Sequence, residues 1–216
     1  MQSEAFSPFQ LLASQLIEYL PRSSDGSHDL SHIHRVWTNV RRIQAEEGGD
    51  LKALLAATLL HDCVEIEKDS PLRAQASTLS SERAALILAA LGWPADTVML
   101  VAGAIKAHSY SAGIEPKTLE AKILQDADRL DAIGMIGVAR CFYVSGRLGR
   151  ELYDFTNPSA DGRDFDDKRF AIEHFHTKLL KLGSGFRTEA GARMAAVRQE
   201  RLESFLAAFM DEIQAG

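Results

Sequence analysis

The sequence predicts an all-α fold, and three features carry that expectation. Apolar residues recur at spacings of three and four through nearly every readable segment, the signature of helices with one buried face. No alternation of apolar and polar residues runs longer than four positions, so no half-buried strand is indicated. Glycine, proline and short polar clusters fall between the periodic segments, where they punctuate turns.

Taken in order, residues 8–20 (PFQLLASQLIEYL) form a short amphipathic helix with Pro8 near its start. Residues 30–47 place Ile33, Val36, Trp37, Val40 and Ile43 on one stripe. Asp29 or Ser27 caps the start of this helix, and Gly48-Gly49 stops it. Residues 50–61 are apolar almost all round, which marks a buried helix. The stretch 63–79 breaks the pattern with Lys68, Asp69, Ser70, Pro71 and Arg73, and reads as a functional loop or short turns. Helices follow at 80–91 and 95–107, separated by Gly92-Trp93-Pro94, then at 118–133 and 135–146. Residues 153–166 are rich in Asp, Gly, Pro and Asn and read as a surface loop. Two helices, 166–182 and 188–213, close the chain; in the last, Met194, Val197, Leu202, Phe205, Phe209 and Ile213 fall near one face. With no internal repeat or low-complexity tract, the simplest organisation is a single helical domain over 1–216. The 153–166 loop is then an insertion, and the helices of 166–213 pack on the core.

Composition narrows the function classes. A chain of 216 residues buries roughly 70% of its unfolded surface. Its 46% apolar and 25% charged residues are ordinary for a globular protein. The net charge of −6 argues against a general binder of nucleic acid or membrane surfaces, but leaves room for a small basic pocket. Cys63 and Cys141 make neither a disulfide framework nor a CxxC metal motif, so a reducing cytoplasm is expected. Met1-Gln2-Ser3-Glu4 lacks a basic region followed by an apolar run, and no stretch approaches 18 apolar residues, so a soluble, unexported protein is expected.

Three stretches carry chemistry: SHDLSHIHRV (27–36), LLHDCVE (59–65) and QDADRLD (125–131). Histidines and aspartates from three helices make a mixed nitrogen and oxygen donor set without thiolates. Such a set suits a divalent ion such as Mn, Fe, Co, Ni or Zn rather than a closed structural zinc. Four protein ligands leave an open position, which hydrolytic metals need to lower the pKa of water and polarise a phosphoryl oxygen. Neighbours in a helix point about 100° apart, so His61 and Asp62 reach one ion only near a helix end or a distortion. Burying that pair is costly unless it is paired or metal-bound. On spacing alone, His28, His32 and His34 remain open in the first stretch, and Asp126, Asp128 and Asp131 in the third. Asp29 reads as a helix cap. His28 shares a face with His32, whereas His34 points elsewhere. Asp131 shares a face with Asp128 and is the better supporting carboxylate, or a partner of Arg129.

The ordered pattern resembles the HD-domain phosphohydrolase superfamily. More narrowly, it resembles the YedJ/YpgQ-like HD hydrolases, through HDLSHIHRV (28–36), LLHDCV (59–64), KDSPLRAQAS (68–77), AHS (107–109), EAKILQDADRLDAIGMIGVAR (120–140) and HFHTKLL (174–180). The resemblance implies a helical bundle of the HD type, with its metal-binding core over about 28–135. It implies one divalent ion (Mn, Ni, Co, Fe, Zn or Mg) on His32, His61, Asp62 and Asp128. It implies hydrolysis of phosphate esters or anhydrides, and the nearest branch suggests nucleoside triphosphates cleaved to monophosphate and pyrophosphate. HD nucleotidases of another branch also use the HD-x-x-E spacing.

Glu65, one turn beyond Asp62, is the candidate to orient water or protonate a leaving oxygen, with Asp69 a weaker one. Lys68 and Arg73, then Lys178, are candidate phosphate cations. His108, beside Lys106, either approaches a phosphate or leaving group or sits against the helix dipole. Arg129 reads as the partner of an acidic neighbour, and Cys63 as a small buried residue. No glycine-rich phosphate loop is present. The expected function is a metal-dependent hydrolase of a small phosphorylated substrate, a nucleotide, acting as monomer or homodimer without nucleic acid or membrane. A nucleoside 5′-monophosphatase and a non-catalytic nucleotide-sensing module are the alternatives.

Overall fold

A computed structural model describes residues 2–21, 29–66, 70 and 72–214. Among them the secondary structure is helical. The one β feature is an isolated bridge between Glu151 and Phe170. No helix of the described residues is long and apolar enough to cross a membrane. The chain gathers into two compact units: Met1–Arg129 with Arg187–Gly191, and Leu130–Phe186 with Ala192–Gly216.

In the first unit, a 3-10 turn at Gln2–Phe6 precedes α1 (Gln10–Ile17), so the helix starts after Pro8. α2 (Leu30–Glu47) begins where the Asp29 carboxylate accepts from the backbone N–H groups of Ser31 and His32, as its capping assignment requires. It ends at Gly48, whose φ of +83° suits glycine. Its stripe buries Val36, Trp37, Val40 and Ile43. α3 (Leu51–Leu60) is capped by Asp50 and buried almost throughout. It packs against α1, α2 and α5 (Ala95–Ala107).

The helix expected at 80–91 starts earlier. α4 spans Ala76–Ala90, preceded by a 3-10 turn at Arg73–Gln75. Serines and Thr78 lower helix propensity here, which is why the segment reads as loop. Packing overrides propensity: Ser77, Ser80 and Ser81 are buried, and small side chains let α4 lie close along α5. The Ser81 hydroxyl donates to the carbonyl of Ala102 at 2.7 Å, and the Ser80 hydroxyl accepts from the Val64 N–H.

α6 (Leu119–Asp131) is tied to this unit at several points. Asn39 donates to the Ala127 carbonyl at 3.0 Å, and Glu120 accepts from the Asp50 N–H. Asp126 accepts from the N–H groups of Arg187 and Thr188 and from the Thr188 hydroxyl, while Glu47 accepts from Ala190 N–H. These two carboxylates hold the start of α9 (Glu189–Gln214). Gly191 sits so close that a Cβ there would lie 2.6 Å from an Asp126 oxygen.

In the second unit, α7 spans Gly134–Arg147. The helix expected at 166–182 is instead a short α8 (Glu173–Thr177) followed by a 3-10 turn at Leu179–Gly183. Local side chains compete for the backbone ahead of it. Asp166 accepts from the N–H groups of Lys168 and Arg169, and Asp167 takes His174 and Thr177. The loop of 150–172 is fastened by Arg163, which donates two bonds to Glu173 and one to Asp154. Phe142, Phe175, Phe205 and Phe209 form an aromatic core, with neighbouring centroids 5.7 to 6.1 Å apart.

Two stability predictions follow from these carboxylates. Asp126→Ala strips three donors of their acceptor, so its melting temperature should fall by several degrees, by about 3 °C or more in calorimetry, with no loss of divalent-ion binding by titration. The Glu173 side chain is 1% exposed, and its bonds to Arg163 hold its carboxyl below the ordinary 4.5. A depressed carboxylate stabilises above its unfolded pKa, and that contribution disappears as pH falls through the folded value. Glu173→Gln should therefore melt about 5 °C or more below the wild type at neutral pH. The gap should close as the pH is lowered below 4.5.

Candidate metal centre

The centre is built in the first unit from the ends of helices. His61 is the C-cap of α3 and His108 the C-cap of α5, and these two helices pack together. Each ring is fastened in the same way: Nδ1 lies 2.7 Å from the carbonyl three residues back, Thr58 for His61 and Ile105 for His108. A carbonyl only accepts, so each Nδ1 carries the proton and each Nε2 presents a lone pair. His32, in the first turn of α2, brings its Nε2 to 3.3 Å from that of His61. From α6, Asp128 Oδ1 lies 3.5 Å from His32 Nε2 and 3.9 Å from His61 Nε2. Asp62 divides its two oxygens: Oδ2 lies 3.5 Å from His61 Nε2, and Oδ1 lies 3.6 Å from His108 Nε2.

Two triads sharing His61 result, His32–His61–Asp128 and His61–Asp62–His108. In each, the ligand-capable atoms lie within 4.8 Å of one another. The three imidazoles are buried, while Asp62 and Asp128 are partly exposed, so the carboxylate side is the open side. Burial, and then the neighbouring His61, push the His108 pKa down and keep that ring neutral. Lone pairs and carboxylate oxygens facing one another repel unless a cation stands among them. The partial negative charge at the C-termini of α3 and α5 adds to that demand. Nitrogen and oxygen donors without thiolate fit a divalent ion of the Mn-to-Zn series.

Of the sequence-derived ligand set, His32, His61 and Asp128 gather in one triad while Asp62 joins His61 and His108 in the other, with His61-Asp62 at a helix end as the 100° argument demands. His34 is turned away, with its ring edge-on to Phe6 at 6.3 Å. Asp131 is no support for the cluster: its carboxylate bonds Arg140 at 3.0 Å in the second unit. Arg129 stacks over Tyr110, with Cζ 3.7 Å from the ring centroid, and also feels the charge of Asp126. Cys63 is buried, donates to the Ser80 carbonyl, and has its thiol pushed up to about 11 by burial, so it is no nucleophile at neutral pH.

Glu65 lies on the exposed segment after Asp62. Lys68, Asp69, His28 and Ser27 lie outside the described residues, and Arg73 opens the 3-10 turn before α4. Lys106 is exposed in the last turn of α5. Lys178 belongs to the second unit, at the exposed C-cap of α8. What sequence reasoning missed is the pairing of His108 with Asp62. The available signal was that both the HD pair and His108 end apolar helical segments.

Comparison with known proteins agrees with this architecture. The HD domain family model matches residues 29–133. The chain is 28% identical to YpgQ of Bacillus subtilis over 192 residues, covering 88% of this chain and 86% of that protein. Among solved structures, an HD-superfamily hydrolase from Bacillus thuringiensis superposes with a TM-score of 0.73 at 31% identity, over 96% of this chain and 99% of its own. B. subtilis YpgQ in complex with ADP superposes with a TM-score of 0.72 at 29% identity, over 93% and 97%. This chain belongs to the HD superfamily of metal-dependent hydrolases, in its YpgQ-like branch.

Proposed function

We propose that the protein hydrolyses a phosphate bond of a nucleotide, with cleavage of a nucleoside triphosphate to monophosphate and pyrophosphate as the favoured reaction. The observation that carries this reading is the gathering of His32, His61 and Asp128 into one cluster and of His61, Asp62 and His108 into a second that shares His61, with the imidazoles buried and the carboxylates on the open side. The nucleotide part is supported by the relative YpgQ, whose structure was determined in complex with ADP.

His32, His61, Asp62 and Asp128 would hold a divalent ion, which when bound draws electron density from a phosphoryl oxygen and makes a nearby water more acidic. The chain supplies the rest. The Nδ1 bond of His61 fixes which nitrogen faces the site. Asp62, partly exposed beside His61, would help orient the attacking water. Glu65 takes the proton of that water or returns it to the leaving oxygen. Lys68 and Arg73 are the cations offered to the phosphate chain, Arg73 as a two-pronged donor and Lys68 as a point charge.

Protein loaded with Mn or Ni should release pyrophosphate from at least one nucleoside triphosphate in a panel assay, with product identity read by anion chromatography. Orthophosphate released from monophosphates would replace this reading with a 5′-monophosphatase. Thermal stabilisation by nucleotides without turnover, in protein shown to hold metal, would replace it with a sensing module. His61→Ala and Asp128→Ala should each weaken divalent-ion binding by about 100-fold or more, measured by titration calorimetry, and abolish turnover. Chelation of the wild type should silence it while its far-UV circular dichroism is retained.

A further inference from the structure

We propose that Arg187, backed by the buried charge of Arg129, binds a phosphate group in the first unit. Where that phosphate belongs to a nucleotide, the inference rests on the function proposed above. Both arginines belong to this unit, Arg129 near the end of α6 and Arg187 just before α9. Arg187 is held at two points. Its backbone N–H donates to both oxygens of Asp126, at 2.9 and 3.0 Å. Its side-chain Nε donates to Gln125 Oε1 at 3.4 Å. Gln125 is buried, and its Nε2 donates to the Ala107 carbonyl at 2.7 Å, so the direction of its oxygen is fixed. Among the described residues, the Gln125 contact is the one side-chain hydrogen bond of Arg187. With Nε engaged, the two outer nitrogens of an exposed guanidinium remain, the pair that grips an oxyanion in two places.

The local charge is unbalanced. Arg129 is 3% exposed and stacks on the ring of Tyr110. The positive charges of Arg129 and Arg187 oppose each other. The acidic group that both meet is Asp126. Its carboxylate is already occupied by two backbone N–H groups and the Thr188 hydroxyl. Two cations thus share one carboxylate that is engaged elsewhere, and an oxyanion completes the set. A solvated surface arginine would explain neither the anchoring of Nε by a buried amide nor the second, buried guanidinium nearby. The group also hangs on segments that carry the metal centre. Ala107 precedes His108 and Arg129 follows Asp128, and consecutive Cα atoms are about 3.8 Å apart.

Inorganic pyrophosphate is the probe, titrated calorimetrically into the full chain at about 0.15 M salt, where loose surface attraction is screened. The protein is used both chelated and loaded with Mn, freed of excess ion. Arg187→Gln should weaken pyrophosphate binding about tenfold or more and leave the affinity for Mn unchanged. Arg187→Lys should recover part of the loss, because the charge returns without the two-pronged fork. A loss confined to the Mn-loaded protein assigns the subsite to the phosphate chain of a metal-bound substrate, and KM for a nucleoside triphosphate should then rise in step. The same loss in the chelated protein assigns it to a phosphate bound without the ion. Unchanged affinity of Arg187→Gln in both forms would overturn the proposal, as would failure of the wild type to bind pyrophosphate in either form. Arg187-dependent binding in a protein that turns over no nucleotide would leave the site standing and bring down the functional reading instead.

Discussion

Burial of unprotonated imidazole nitrogens against carboxylate oxygens is the constraint around which the first unit is organised. His32, His61 and His108 have almost no exposed surface, yet none of the three is placed like an ordinary core histidine. His61 Nε2 and His108 Nε2 each lie within 3.6 Å of an Asp62 carboxylate oxygen where the rings are buried, and burying polar groups costs free energy unless they are satisfied. A divalent ion held among these groups would make those contacts favourable, and its binding would then be coupled to the stability of the unit.

The surrounding architecture keeps that demand from being relieved by movement. α3 is apolar on all sides and buried throughout, so His61 cannot swing away without opening the core. α5 is fixed to α4 by close small-residue packing and by the Ser81 hydroxyl, which holds His108 at the same level. α6 is anchored by Asn39 and by Glu120, which sets the height of Asp128. These interactions are remote from any reacting atom, yet they fix the ligand geometry that the chemistry depends on.

Much of this could be read from sequence, for identifiable reasons. Long helices with a clean stripe, such as α2, or with apolar residues all round, such as α3, announce themselves because one physical requirement dictates every position. His61-Asp62 was legible for the complementary reason: two polar residues ending an apolar run need an explanation. The start of α4 was hidden because Ser77, Ser80 and Ser81 act through size and long-range hydrogen bonds, which propensity does not register. The helix expected at 166–182 failed because Asp166 and Asp167 capture nearby donors, a competition settled by geometry rather than period. Asp131 looked like a partner for the cluster on helical spacing, but Arg140 lies within 3.0 Å and takes it.

The division of labour among the aspartates of QDADRLD shows how one helix serves several ends. Asp128 faces the histidines, Asp126 faces the start of α9, and Asp131 faces Arg140. Positions 126 and 128 are about 200° apart on a helix, so one acts on chemistry and the other on chain topology without interfering. Asp126 is buried and its pKa is pushed up by that burial, against the pull of its backbone donors, so it is held by hydrogen bonds rather than by water. Helical angle thus separates Asp126 from Asp128, whereas Asp131, only about 60° from Asp128 around the helix, is engaged by Arg140 instead.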